Sequence, residues 1–247
     1  YSLTEHSCRD KVLALLREVR NKAQFSVGDR EAGFNTEQNA LIAVNAEKYY
    51  TAMMSFDNES WNVRDRHMME TLDRLLKFHG PNAKGIVWEH NTHIGDARAT
   101  DMKRAGMVNI GQLAREEYGI NDVYLVGFGT YHGSVIAGDE WGAPMKVMQV
   151  PKAREGSIEH SLHTESKENR YLLFNTEELQ EKYDDSIKHR AIGVVYNPGN
   201  ERYGNYVPSV MAQRYDAFIF LDETRALHPL HLKPHSDKIP DTYPFNY

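Results

Sequence analysis

Residues 85–96 read Gly85-Ile86-Val87-Trp88-Glu89-His90-Asn91-Thr92-His93-Ile94-Gly95-Asp96. The character of the chain changes here. Ile86-Val87-Trp88 is an unbroken apolar run behind a glycine, which predicts a strand buried on both faces. Two imidazoles then follow, flanked by the carboxylates Glu89 and Asp96. Side chains at the carboxyl end of a sheet strand face the crevice in which α/β folds bind ligands. Histidine titrates near neutrality, so it can take up and return a proton at physiological pH. His90 and His93 are therefore the candidate catalytic residues. The alternative is a pair of hydrogen-bonded histidines that holds a loop in place.

Upstream of this stretch the pattern is helical. Ser2-x-x-Glu5 fits a capping box, and Val12, Leu13, Leu15, Leu16, Val19 and Ala23 follow at helical spacing. A second helix is expected over 36–56 and a third over 61–78, with Gly80-Pro81 as its stop. Downstream, short apolar runs alternate with glycine-rich turns. Strands are expected at Val123–Val126, Ser134–Ala137, Lys146–Val150, Tyr171–Phe174, Ile192–Tyr196 and Ala217–Leu221, with a helix over Ile110–Tyr118. The expected fold class is α/β: a helical first third, then a mixed or parallel sheet with flanking helices. One domain is expected over 1–230, helical in 1–80 and sheet-containing in 85–225. Residues 231–247 hold Pro234, Pro240 and Pro244 and read as an extended tail.

Composition narrows the function classes. The chain has 247 residues, 40% of them hydrophobic and 26% charged, which suits a globular protein. Its net charge of -6, from 29 basic and 35 acidic residues, argues against a nucleic-acid partner, which would need clustered Lys and Arg. No apolar run approaches the roughly 18–20 residues of a membrane span, so no membrane partner is expected. Cys8 stands alone in a helical pattern and reads as a packing residue, leaving the compartment undecided. The sequence opens on Tyr1 without a methionine, so a processed or truncated N-terminus is expected.

Several familiar motifs are missing. Gly-x-Ser-x-Gly, His-Glu-x-x-His, the P-loop and Cys-x-x-Cys do not occur. Gly127-Phe128-Gly129 lacks the third glycine of a dinucleotide loop and reads as a tight turn. Two further His-x-x-His pairs occur. His160 and His163 follow Ser157, a possible helix cap, and read as a solvated helix face. His228 and His231 flank Pro229 near the tail. Two histidines one short turn apart with a carboxylate would make a partial zinc site, but no third ligand is legible, so no metal or other cofactor is expected.

From Trp88 to Arg98 the sequence resembles the strand-end segment of the erythromycin esterase family, in which an apolar run leads to His-Asn-x-His. The resemblance extends over residues 60–230 through Asn62–Met68, Asn109–Leu113, Tyr124–Tyr131, Glu155–Glu159 and Asp222–Ala226, in order and spacing. It implies an α/β hydrolase in which water attacks an ester or macrolactone carbonyl without a covalent intermediate. Some relatives carry a succinoglycan-biosynthesis label. His90 and His93 match the two motif histidines and would line the active-site cleft. Glu159, Arg64 and Asn91 are the candidate substrate-binding residues, and the partner would be a small-molecule ester. The general base that the family implies lies in a Gly-Glu-x-x-His segment, which this sequence lacks. That departure leads to the expectation of a C-terminal portion whose N-terminal half is absent. It also keeps two alternatives open, a metal-dependent hydrolase and a binding module that has lost its base.

Overall fold

The computed structural model describes residues 8–23, 29–54 and 58–227. The capping box at Ser2, the His228/His231 pair and the tail lie outside the described residues. The chain divides into two compact units, residues 1–124 and 125–247. Together they bear out the expected class: helices first, then a mixed sheet flanked by helices.

The first unit is helical. Helices α1 (Arg9–Ala23) and α2 (Arg30–Met53) meet through Leu16, Ala40, Leu41 and Val44. Helix α3 (Glu59–His79) ends at Gly80, whose φ of 101° suits a residue without Cβ. A single turn, α4 (Asn91–Ile94), follows, and then α5 (Ile110–Tyr118). Met69 of α3 packs on Ile110 and Ala114 of α5, with Leu72, Val87 and Val123 around them.

Residues 85–90 are not a strand. Val87 packs onto the α3–α5 core, whereas Ile86 and Trp88 are 93% and 84% exposed. Burial is thus one-sided, and no ladder partner is present among the described residues. An apolar run is compatible with a strand but cannot supply the neighbour that makes one.

The second unit holds the sheet. Strands β1 (Val126–Ala137) and β2 (Lys146–Val150) are antiparallel. Helix α6 (Ile158–Glu165) leads to β3 (Arg170–Leu173), then α7 (Glu177–Lys182) and β4 (Ser186–Arg190). A short turn α8 (Glu201–Gly204) precedes β5 (Tyr206–Val210), α9 (Met211–Arg214) and β6 (Ala217–Thr224). The main sheet has the order β2-β1-β6-β3, parallel between β1 and β6 and antiparallel elsewhere, and β4 pairs with β5 in a separate ribbon.

Three sequence expectations change here. The strand expected at 123–126 begins only at Val126 and runs unbroken to Ala137 as β1, so that it takes in the run at 134–137, and Gly127 and Gly129 lie inside it rather than in a turn. A Cβ at Gly127 would meet the Tyr215 ring at 2.7 Å, and one at Gly129 would meet Phe218 at 2.5 Å, so these glycines make room for aromatic rings. Residues 192–196 make only a single bridge, Gly138 to Val195, while Tyr196 is buried beside Met148 and Val150. Strands β4 and β5 were not legible. β4 is Ser-Ile-Lys-His-Arg, largely polar, and β5 carries Pro208, which argues against a strand except at an edge.

Candidate active site

Helix α3 presents Trp61, Arg64 and Asp65 at i, i+3 and i+4, hence on one face. Asp65 is fully buried and accepts two hydrogen bonds at Oδ1, from the Ile110 backbone N–H at 3.1 Å and from His93 Nδ1 at 2.9 Å. Trp61 stacks on the His93 ring, with centroids 4.3 Å apart and planes 4° from parallel. Arg64 Nη2 lies 3.2 Å from His93 Nε2, and its guanidinium carbon is 4.8 Å from the Trp61 ring centroid.

These contacts decide the tautomer. A guanidinium can only donate, so Nε2 of His93 accepts and the ring proton sits on Nδ1, facing Asp65. His90 has the opposite arrangement. It caps α4, and its Nδ1 accepts from the Thr92 N–H at 3.3 Å and bonds Thr92 Oγ1 at 2.9 Å. In the neutral ring its proton is then on Nε2. One motif histidine offers a lone pair and the other a donor.

Glu89 completes the group. Its Oε2 is 4.0 Å from His93 Nδ1 and is a buried atom without a hydrogen-bond partner among the described residues. Burial raises its pKa, and the charge of Asp65 adds to this against the opposing effect of His93 and Arg64. Glu89 thus takes up a proton more readily than a free glutamate.

The turn that carries His93 is held by a buried amide. Asn109 caps α5 by accepting from the Gln112 N–H at 3.0 Å, accepts from the Ala97 N–H, and donates to the carbonyls of Thr92 (2.8 Å) and Gly95. Gly111 is required alongside it, because a Cβ there would sit 2.0 Å from the Ile94 carbonyl oxygen. Asn62 of α3 bonds the backbone of Gly106 and Val108. Asp96 does not join the histidines. It caps a 3-10 turn and pairs with Arg98 at 2.8 Å and Arg115 at 3.3 Å. Burial would raise the Asp96 carboxyl, but the bonds from Arg98 and Arg115 outweigh burial and hold it low.

Of the residues singled out in the sequence, His90, His93 and Arg64 therefore share the first unit, and Asn91 opens α4 beside them. Asp65 and Trp61 were missed, although their spacing to Arg64 on a helical face was a usable signal. Glu159 is elsewhere, in the second unit. It is fully buried, and its Oε1 accepts from His189 Nδ1 at 2.6 Å and from the Arg190 N–H at 2.9 Å. Among the described residues, no three His, Cys, Asp or Glu side chains converge as a metal cage, and no helix is long and apolar enough to cross a membrane.

The Glu159–His189 pair is expected to make the second unit acid-sensitive. Burial raises Glu159, but His189 and the backbone N–H bonds outweigh it and bring the net shift down. Burial, aided by Arg214 and Arg190, lowers His189 against the pull of Glu159. Both groups bind protons more readily in the unfolded chain. Their contribution is complete above the ordinary histidine value of 6.5 and begins to fall below it. It falls again below the ordinary carboxylate value of 4.5. Each proton taken up on unfolding contributes a slope of about 1.4 kcal/mol per pH unit. Urea midpoints measured from pH 8 to pH 4 should decline accordingly, and Glu159→Gln should flatten the lower part of the curve.

Residues 2–224 match the erythromycin esterase family model. The chain belongs to the erythromycin esterase family. Solved structures of similar fold include a protein from Bacillus cereus, at 15% identity and a TM-score of 0.74, with 91% of this chain and 54% of that one covered. A mutant of the erythromycin esterase EreC in its open conformation is 17% identical with a TM-score of 0.60, covering 89% and 54%. A succinoglycan biosynthesis protein is 16% identical with a TM-score of 0.55, covering 88% and 58%. The chain thus spans little more than half the length of these proteins. The likeness to them is one of fold. The family match includes the His90–His93 segment.

Proposed function

We propose that the chain is an erythromycin-esterase-like hydrolase domain in which water attacks an ester or macrolactone carbonyl at His90 and His93. The observation that carries this is the chain Asp65–His93–Arg64, stacked on Trp61. Asp65 fixes the imidazole in the tautomer that leaves Nε2 as an acceptor, as a carboxylate does in hydrolytic triads. Arg64 supplies the positive charge that a developing oxyanion needs, and His90 supplies a second donor. When Arg64 turns to the carbonyl oxygen, Nε2 of His93 is released to orient the attacking water. Asn91 opens the turn that carries His93 and contributes to substrate contact. Glu159, buried against His189, holds α6 to β4 and acts on the fold rather than on the substrate.

The test is incubation of the 247-residue chain with erythromycin and with an aryl ester, followed by mass spectrometry, with and without chelator. His93→Ala should lower turnover by about a hundred- to ten-thousand-fold, and His90→Ala should lower it as well. Turnover that survives both substitutions would sink the assignment. Chelator sensitivity would replace it with the metal-dependent reading, and binding without turnover by the longer gene product would favour a module that has lost its chemistry.

A further inference from the structure

A second carboxylate-backed imidazole stands in the unit formed by residues 125–247. Helix α6 is capped by Ser157, whose Oγ accepts from the His160 N–H, and carries His163 in its last turn. His163 Nδ1 lies 2.5 Å from Asp222 Oδ1 on β6. Its ring stacks on Tyr131 of β1, with centroids 3.5 Å apart and planes 8° from parallel. Asn169 accepts the backbone N–H of Asp222 and holds that strand position. His160 is also nearby, its ring centroid 6.4 Å from that of Tyr131. The expected solvated helix face is therefore only half right, since the His163 and Asp222 side chains are 19% and 16% exposed.

Three features separate this pair from a packing contact. First, the Asp222 carboxylate accepts a hydrogen bond from Nδ1–H, which fixes the neutral tautomer and leaves the lone pair on Nε2. That nitrogen makes no hydrogen bond among the described residues and is not a buried atom. Second, stacking on Tyr131 and the bond to Asp222 fix both the plane and the rotation of the ring, so Nε2 is held in one direction. Third, Asp222 lies two residues before the carboxyl end of β6, which runs parallel to β1. Ligand sites of α/β sheets gather at that end. His189, buried in the same unit, contrasts with it, being fully enclosed against Glu159.

We propose that His163 is a general base for ester hydrolysis in its own right, activating water for attack on an activated ester. The proposal takes its substrate class from the hydrolase reading above but not its residues. A water proton passes to His163 Nε2 as the water oxygen bonds to the carbonyl carbon, and the carbonyl π pair moves onto oxygen. The tetrahedral intermediate then expels the alcohol oxygen, which takes the proton back from Nε2. Ester and water become acid and alcohol, and Asp222 stabilises the imidazolium in between. Tyr131 and Asp222 act as positioning residues.

The probe is 4-nitrophenyl acetate with the 247-residue chain. His163→Gln should lower kcat/KM by about a hundredfold or more, His163→Ala should be partly rescued by added imidazole, and Asp222→Asn should fall between them. His160→Ala should leave the rate unchanged. If only His93→Ala loses activity, the first site stands and this one falls. If only His163→Gln does, the reverse holds. Absence of turnover by the unaltered chain overturns the proposal. Diethyl pyrocarbonate labelling of the unaltered protein needs no variant to fold. His163 should be acylated faster than the chain's other imidazoles by mass spectrometry, and slower acylation overturns the assignment.

Discussion

Arg190→Met is expected to destabilise the unit formed by residues 125–247 by about 3–5 kcal/mol, the usual cost of removing one partner of a buried ion pair. Arg190 and Glu201 are 4% and 2% exposed, with Arg190 Nη2 at 2.9 Å from Glu201 Oε1. The guanidinium also donates to the carbonyls of Thr130 and Pro151, both at 2.8 Å, and of Tyr131 at 3.0 Å. It therefore ties the β4 end to β1 and to the segment after β2. Tyr196 and Tyr206 donate their hydroxyls to Glu201, and burial pushes the Tyr206 hydroxyl up to about 12, so both phenols stay protonated donors. Methionine would fill the volume but leave Glu201 without its cationic partner and take one donor from each of three carbonyls, of which that of Tyr131 keeps the Ala153 N–H. Domains of ordinary stability have only about 5–15 kcal/mol to lose. Arg190→Lys should recover only part of the loss, because a point charge cannot serve a planar set of acceptors. Urea denaturation reads the effect directly. A midpoint unchanged from the parent would show that the network is not needed for stability.

Asp65→Asn is expected to cut hydrolysis about a hundred- to ten-thousand-fold while keeping the shape of the site. Aspartate accepts from both the Ile110 N–H and His93 Nδ1. Asparagine can still accept from Ile110 through its oxygen, but its NH₂ replaces Oδ2, which lies 3.1 Å from His93 Nδ1, and sets a donor against the Nδ1–H there. The imidazole must move its proton to Nε2 to accept that bond, and Nε2–H would point at Arg64 Nη2, now 3.2 Å away. Two donors would oppose each other where one donor and one acceptor now meet. The tautomer can be read independently of catalysis, from the ¹⁵N shifts of the His93 ring. The parent should carry its proton on Nδ1 and the variant on Nε2. A parent with Nε2–H would remove the basis of the proposed mechanism, whatever the activity assay showed.

Which elements of this chain are legible in its sequence follows from the range of the forces involved. Helix α5 is bounded as its sequence suggests, because Asn109 caps it locally and Gly119 ends it. The Ser157 cap of α6 was legible for the same reason. His90 and His93 stood out through their own spacing. Asp65 did not, since its spacing to Arg64 shows a shared helix face but not that this face meets a histidine 28 residues away. Glu159 drew attention within a recognisable segment, but its partner His189 is 30 residues on and turns it inward.

By itself, the sequence determined the α/β class, most of the helices, β2, β6 and the erythromycin esterase family. These rest on periodicity, caps and ordered motifs, all of which act over a turn or a strand length. Only the tertiary structure decided that Ile86–Trp88 lies outside the sheet, that two glycines of β1 make room for Tyr215 and Phe218, and which carboxylate orients each imidazole. Strand pairing and buried ion pairs depend on partners distant in the chain, and a side chain's local sequence carries no term for the neighbour that folding brings to it.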